Sequence, residues 1–329
     1  MNITSIKKTL SLLLVLAALS TLTACAGKPA QNVTVLHVGI VQLVDNGAFT
    51  DMREGFIARM RELGYSEDKM TFSYQNAQGD MSNLNSICQN MASENLDVIV
   101  TIATPPTQAM VNLAPKAPIF FIAVSNPVAA GVITDMAKPD KNATGTSNAI
   151  PVDEMFKLAA QVTPNVTSFG LLYNAGEVNS VSTVTAAKAY LEQTGSYTYE
   201  EAVVTASSEV QQAAQALAEK VDAIFVPNDS MIQSALTQVV EVANAAGVPV
   251  YGSSAVMVNT GAFATISIDD TVIGARTADM VHSYLGGTAV ADIPAVVISD
   301  FVTLFHQGTA DAIGIKIPDS MLQNAVIVK

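Results

Sequence analysis

From residue 36 onward, short apolar runs alternate with longer segments whose apolar positions recur every three or four residues. "LHVGIVQL" reads as a continuous apolar strand, and "FTDMREGFIARMRELG" follows it as a helix. In that helix Phe49, Met52, Phe56, Met60 and Leu63 form one stripe, and Gly64 is a stop signal. "KMTFSYQNA", "DVIVTIA" and "PIFFIAV" read as further strands, separated by the helical segments "SNLNSICQNMASEN" and "PTQAMVNLA". Strands that are apolar throughout, alternating with helices, predict a parallel sheet covered on both faces.

The same order then returns. "SFGLLYN" stands where "HVGIVQL" stood, and the next helix, strand and helix follow as "STVTAAKAYLEQTG", "TYEEAVV" and "SEVQQAAQALAEK". Asp97 in "LDVIVTIATPPTQAMV" and Asp222 in "VDAIFVPNDSMIQSAL" open corresponding segments, and "GVPVYGSSA" falls on "KAPIFFIAV". Residues 37–134 and 168–265 thus read as two copies of one α/β plan. The fold expected is α/β, with two doubly wound parallel-sheet lobes.

Ligands of parallel α/β sheets bind beyond the carboxyl ends of the strands. Those loops here read "QLVDNG" (42–47), "ATPPT" (103–107), "AVSNP" (123–127), "YNAGEVNS" (173–180), "VPNDS" (226–230), "GSSA" (252–255) and "SIDD" (267–270). Small polar residues also cap helices and make turns. Seven such loops facing one another nevertheless predict a polar cleft between the lobes. None carries Lys or Arg, which argues against phosphates, sulfonates and dicarboxylates as ligands.

The first 24 residues have the parts of a secretory leader: a short basic region with Lys7 and Lys8, then the apolar run "LSLLLVLAAL". "LTAC" follows, and resembles a bacterial lipobox in which Cys25 becomes the lipidated first residue, with 25–35 as a tether. That predicts a protein lipid-anchored to the cell membrane on its extracytoplasmic side. The remaining cysteine, Cys88, is expected to be a small buried apolar residue. The formal charge is −13, which leaves no basic face for nucleic acid. His37, His282 and His306 form no ligand pair, and no CxxC, GxSxG, P-loop or GxGxxG motif occurs. Neither an enzyme, a cofactor nor a metal site is expected.

The runs "YQNAQGD" (74–80), "TIATPPTQA" (101–109), "AVSNPVAAGV" (123–132), "YNAGEVNS" (173–180) and "VPNDSM" (226–231) carry a family resemblance. Over residues 36–329 the chain resembles bacterial ABC-transporter substrate-binding proteins of the tryptophan/tyrosine-binding type. It departs from them at Ser230 and His306, where Asn is common. The resemblance implies a type I periplasmic-binding-protein fold that captures a small solute, an aromatic amino acid above all. The partners it implies are an ABC permease and its ATPase, with the binding protein itself a monomer. A sensing or adhesive surface lipoprotein of the same fold, or one that binds a different small neutral solute, is the alternative. It also implies lobe 1 as 36–147 plus 269–296 and lobe 2 as 148–268 plus 297–329, with "TSNAIP", "SIDD" and the stretch near "IPAVVIS" as hinges.

Candidate ligand contacts from the first half are Gln42, Asp45, Asn46, Thr104, Pro105, Ser125, Asn126 and Asn148. From the second half they are Tyr173, Asn174, Glu177, Asn179, Ser180, Asn228, Asp229, Ser253 and Asp269. Thr104, Thr107, Ser125 and Asn126, with helix N-terminal N–H groups, can serve a ligand carboxylate. Asp229 is the first choice for an ammonium, with Asp45 and Glu177 next. Phe49, Tyr173 and Tyr251 are candidate walls for an aromatic side chain, and Ser180 a candidate helix cap.

Overall fold

The computed structural model describes residues 35–329. The leader, Cys25 and nearly all of the tether lie outside the described residues. The chain forms β1 (Leu36–Gln42), α1 (Gly47–Glu62), β2 (Met70–Asn76), α2 (Met81–Ser93), β3 (Val98–Ile102), α3 (Thr104–Leu113), β4 (Ile119–Ile122) and β5 (Ala143–Ser147). The plan recurs as α4 (Val152–Val162), β6 (Ser168–Asn174), α5 (Val178–Thr194), β7 (Thr198–Val204), α6 (Val210–Ala218), β8 (Ala223–Phe225), α7 (Ser230–Ser234), α8 (Leu236–Ala246), β9 (Val250–Tyr251), α9 (Ala255–Asn259) and β10 (Ala264–Ser267). The chain ends with α10 (Asp270–Leu285), β11 (Val296–Val297), β12 (Val302–His306), α11 (Gln307–Ala312), α12 (Asp319–Leu322) and β13 (Ala325–Val328).

Two sheets result. One runs β11-β5-β4-β3-β1-β2 and the other β13-β12-β10-β9-β8-β6-β7. Every pairing is parallel except β10 with β12. The first five strands of each half thus share the order 2-1-3-4-5. The matched aspartates explain part of the likeness. Asp97 accepts the His37 N–H at 2.7 Å, tying the start of β3 to β1. Asp222 accepts the N–H groups of Thr167 and Ser168, both at 2.9 Å, at the same place in the second half.

Successive strand residues face opposite sides of a sheet. Val38, Ile40, Val100 and Phe120 therefore pack with Phe49, Met52, Phe56 and Met60 of α1 and with Ile273 and Val281 of α10. Val41, Ile99 and Phe121 pack on the other face with Leu84, Cys88 and Met110. Cys88 is buried as expected, and burial pushes its thiol up to about 11. The second sheet is covered in the same way by α4 and α5 on one face and α6 and α8 on the other.

The chain crosses between the sheets three times, after β5, after β10 and after β11. Helix α10, which follows β10, returns to the first lobe by packing along α1 at very short range. A Cβ on Gly274 would lie 1.9 Å from the Met52 carbonyl oxygen, and one on Gly55 2.4 Å from that of Thr271. Only glycine permits this approach, and it places the start of α10 over Phe49 and Met52. Among the described residues no helix is long and apolar enough to cross a membrane.

Candidate functional site

The strand ends of the two sheets face each other and enclose a cavity beside the crossings. The space free of protein atoms is about 540 Å³, including its opening to solvent. The first lobe supplies Ala48, Phe49, Met52, Ala103, Thr104, Ala123, Ser125, Asp270 and Ile273. The crossings add Asn148, Ile150 and Ile268. From the second lobe come Asn179, Asn228, Asp229, Ser230, Gln233, Ser253, Ser254 and Ser267. One wall is therefore largely apolar and the other is a field of hydroxyls, amides and a carboxylate, with no Lys or Arg among the lining residues.

Local chemistry explains each side. Ala103 and Ala123 end β3 and β4 with φ of 73° and 59°, a region that costs a Cβ-bearing residue about 1–2 kcal/mol. Backbone held in such a conformation marks a site over-determined by its surroundings. The turn at Ala103 sets Thr104 at the start of α3. Pro105 and Pro106 follow and carry no N–H, so the Thr104 N–H and hydroxyl are the polar groups of that helix start. Ser125 donates to Asn148 Oδ1 at 2.9 Å, which leaves the Asn148 amide nitrogen as a donor.

In the second lobe the carboxylates are heavily used. Asp229, 2% exposed, accepts the Ile232 N–H at 3.0 Å on one oxygen. On the other it accepts the Asn174 N–H at 2.7 Å and the Ser180 hydroxyl at 2.8 Å. It caps α7 and joins the end of β6 to the end of β8. Glu177 accepts the N–H groups of Ser230 and Met231 at 3.1 and 3.2 Å. Burial, then the nearby Asp229, raise its pKa, and burial raises that of Asp229. Ser180 is therefore no cap for α5, because its hydroxyl is spent on Asp229. Asn179 donates through Nδ2 to the Asn228 carbonyl, while its buried Oδ1 has no partner.

At the start of α10 two adjacent aspartates diverge. Asp269 is the cap, accepting from Thr271 and Val272 N–H at 2.9 and 3.3 Å, and it lies outside the cavity lining. Asp270 lines the cavity. Burial, then the charges of Asp51 and Asp269, push its carboxyl up to about 8. The loop "SIDD" points to an aspartate here, but the neighbour is the one that faces the cleft.

Of the residues expected from sequence, Thr104, Ser125, Asn148, Asn179, Asn228, Asp229 and Ser253 come together in this cavity, and Phe49 is part of its apolar wall. Others are used elsewhere. Buried Gln42 donates to the Val44 carbonyl and to Asp45 Oδ1, and Arg53 lies beside Asp45 at 3.9 Å. Asn46 caps α1 through Phe49 N–H at 2.9 Å. Asn126 accepts from Ala129 N–H and donates to Ser182. Pro105, Asn174 and Glu177 line a second, larger space between the lobes. The Asn174 side chain closes a turn by accepting Gly176 N–H at 2.8 Å. Two expected aromatic walls fall away from the cavity: Tyr173 donates to Glu201 at 3.0 Å, and fully buried Tyr251 shares a hydrogen bond with Thr163 at 2.8 Å. Thr107 is buried and bonded to Thr101 and the Ala103 carbonyl. His306 caps α11 by accepting Thr309 N–H at 3.0 Å, a role Asn also fills well.

The sequence pattern gave no signal for Ala48, Met52, Gln233 or Ile273, which reach the cavity from helices rather than strand-end loops. Among the described residues no group of His, Cys, Asp or Glu is arranged to hold a metal ion.

Two α/β lobes joined by three crossings, with polar strand ends closing on a cavity, define a solute-binding protein. The family described as ABC transporter substrate binding protein matches residues 37–329, and the chain belongs to it. A tyrosine-binding protein of Clostridioides difficile (strain R20291) is 32% identical over 322 residues, 94% of this chain and 93% of the relative. A Streptococcus pneumonia ABC domain in complex with L-Trp superposes with a TM-score of 0.86 at 31% identity, covering 90% of this chain and 100% of that one. The ligand-free, open structure of a Clostridium difficile substrate-binding protein with adhesive properties gives 0.71 at 33% identity, covering 90% and 99%. At nearly equal identity the chain superposes better on the L-Trp complex than on the open, ligand-free structure.

Proposed function

We propose that this ABC substrate-binding protein captures an aromatic amino acid, tyrosine or tryptophan, by closing its two lobes, and delivers it to a permease driven by an ATPase. The observation that carries the reading is the cavity's division. Its apolar wall, with Phe49, Met52, Ile150, Ile268 and Ile273, suits an aromatic side chain. The cavity also holds neutral donors for a carboxylate and a carboxyl group from each lobe, Asp229 and Asp270, but no cation that would favour an anion. The tyrosine-binding and L-Trp-bound relatives support the same ligand class. In this reading lobe 1 comprises 36–147 plus 269–296 and lobe 2 comprises 148–268 plus 297–329. Cys25 carries the lipid that holds the protein, as a monomer, at the outer side of the cell membrane. An adhesive role, as in the Clostridium difficile relative, would use the exterior; the enclosed cavity favours import.

A thermal-shift series over all amino acids, nucleosides and sugars tests the ligand. Tyrosine or tryptophan should stabilise most, by about 2.7 kcal/mol at a hundredfold excess over Kd. A sugar or nucleoside acting where all aromatic amino acids fail would refute the specificity.

A further inference from the structure

Among the acidic groups at the cavity, one has nothing to bind. Asp229 and Glu177 are saturated by N–H and hydroxyl donors of their own lobe. Asp270 lines the same cavity, half-buried, and its carboxyl accepts no hydrogen bond from a described residue. The N–H groups that could have served it, those of Thr271 and Val272, are taken by Asp269. A second, independent acceptor is also vacant. Asn179 lines the cavity at 7% exposed, its Nδ2 is committed to the Asn228 carbonyl, and its buried Oδ1 has no donor among the described residues.

An unpartnered carboxylate from one lobe and an unpartnered amide oxygen from the other, in one cavity without cations, require a ligand that brings both charge and donors. We propose that Asp270 and Asn179 Oδ1 together hold the ligand's ammonium group, with Asp229 as the scaffold that fixes the facing loops. This rests on the amino-acid reading above and assigns the ammonium differently from the sequence expectation at Asp229. Because the two acceptors belong to opposite lobes, an ammonium between them also bridges the lobes and favours the closed arrangement.

The charged surroundings of Asp270 agree. Helix α1, packed along α10, presents Asp51 toward it, whereas Arg53 lies over the Tyr74 ring and Arg59 pairs with Asp279 a few turns away. Across the cavity stands Asp229, with Glu177 behind it. No basic group relieves the carboxyl, so pairing with an ammonium at neutral pH requires it to give up a proton.

The test compares tyrosine with 3-(4-hydroxyphenyl)propionate, which lacks only the ammonium, by calorimetric titration of wild type, Asp270→Asn and Asp229→Asn. Wild type should prefer tyrosine strongly. Asp270→Asn should weaken tyrosine binding on the order of thirtyfold to several-thousandfold and lose most of that preference. Asp229→Asn should weaken both ligands together, as a loosened scaffold does, and change the preference far less than Asp270→Asn. Wild-type tyrosine binding should also release a proton at pH 7, read from two buffers of different ionisation enthalpy, which serves if Asp270→Asn does not fold. Unchanged tyrosine affinity and preference in Asp270→Asn, or no proton release by wild type, overturns this inference alone. Wild type that binds no aromatic amino acid overturns the proposed function and this inference with it.

Discussion

Replacing Asp229 by Asn exchanges one carboxylate oxygen for an NH2 group in a place where three donors already converge. With the amide oxygen toward Asn174 and Ser180, which now donate at 2.7 and 2.8 Å, the NH2 meets the Ile232 N–H and the cap of α7 is lost. With the amide turned the other way, the cap survives and the NH2 meets the Asn174 N–H instead. Either rotamer leaves at least one buried N–H without an acceptor, a loss of about 1–3 kcal/mol. Relief of the repulsion with Glu177 offsets part of it, since Asp229 is one reason the Glu177 carboxyl titrates high. For a chain of this size each kcal/mol moves the melting point by about 2–4 °C, so a fall of roughly 3–10 °C is expected in unliganded Asp229→Asn. Differential scanning calorimetry at pH 7 measures it. As a solvent-facing cap, Asp229 would be exchangeable with Asn at almost no cost. A melting point within about a degree of wild type would therefore refute the assignment of Asp229 as the tie between the ends of β6 and β8.

Gly274→Ala should lower the melting point by at least as much, because its Cβ would meet the Met52 backbone oxygen at 1.9 Å and force α10 off α1. It should also weaken ligand binding, measured by the same titration, since Asp270 moves with α10. Unliganded stability should fall as pH rises: the folded-state pKa of Asp270, about 8, lies above the unfolded value of 3.8, so its contribution is complete below about pH 4 and lost as pH passes through 8. Glu177 shifts in the same direction, and melting curves from pH 5 to 9 should slope less in Asp270→Asn than in wild type. Cys25→Ala should leave the protein unprocessed or free of membranes, and wild-type protein should incorporate radiolabelled palmitate at Cys25.

Most of the architecture was legible because a parallel strand is buried on both faces and so must be apolar throughout. "SFGLLYN" coincides with β6 from end to end, and the α1 stripe from Phe49 to Met60 is the one that packs on the sheet; the edge strand β7, "TYEEAVV", was legible by its place in the repeat although it is mostly exposed. The strand-end loops were legible as a class for the same reason. What could not be read was the use of each polar side chain within them. Glu177 stands out in its loop as an acid aimed at ligand. Only the adjacency of β6 to β8 shows that the α7 N-terminus is near enough to claim it. Asp269 and Asp270 are chemically identical neighbours. Their roles part because α10 is held against α1 by two facing glycines, a contact between segments more than two hundred residues apart.

A buried carboxylate is costly unless donors surround it. Asp229 has three donors and Glu177 two, so each secures a loop of the second lobe and neither needs a ligand to be tolerated. These bonds hold the polar wall rigid before anything binds, which lowers the ordering cost of capture. Asp270 differs in being placed at a crossing between the lobes without a donor of its own. On the proposal above, a ligand ammonium supplies the partner that the carboxyl lacks and draws its proton away. A ligand can shift a two-state equilibrium only by its differential affinity for the two states. On the proposal above, an acceptor that only the ligand satisfies supplies that difference, which a saturated carboxylate such as Asp229 cannot do.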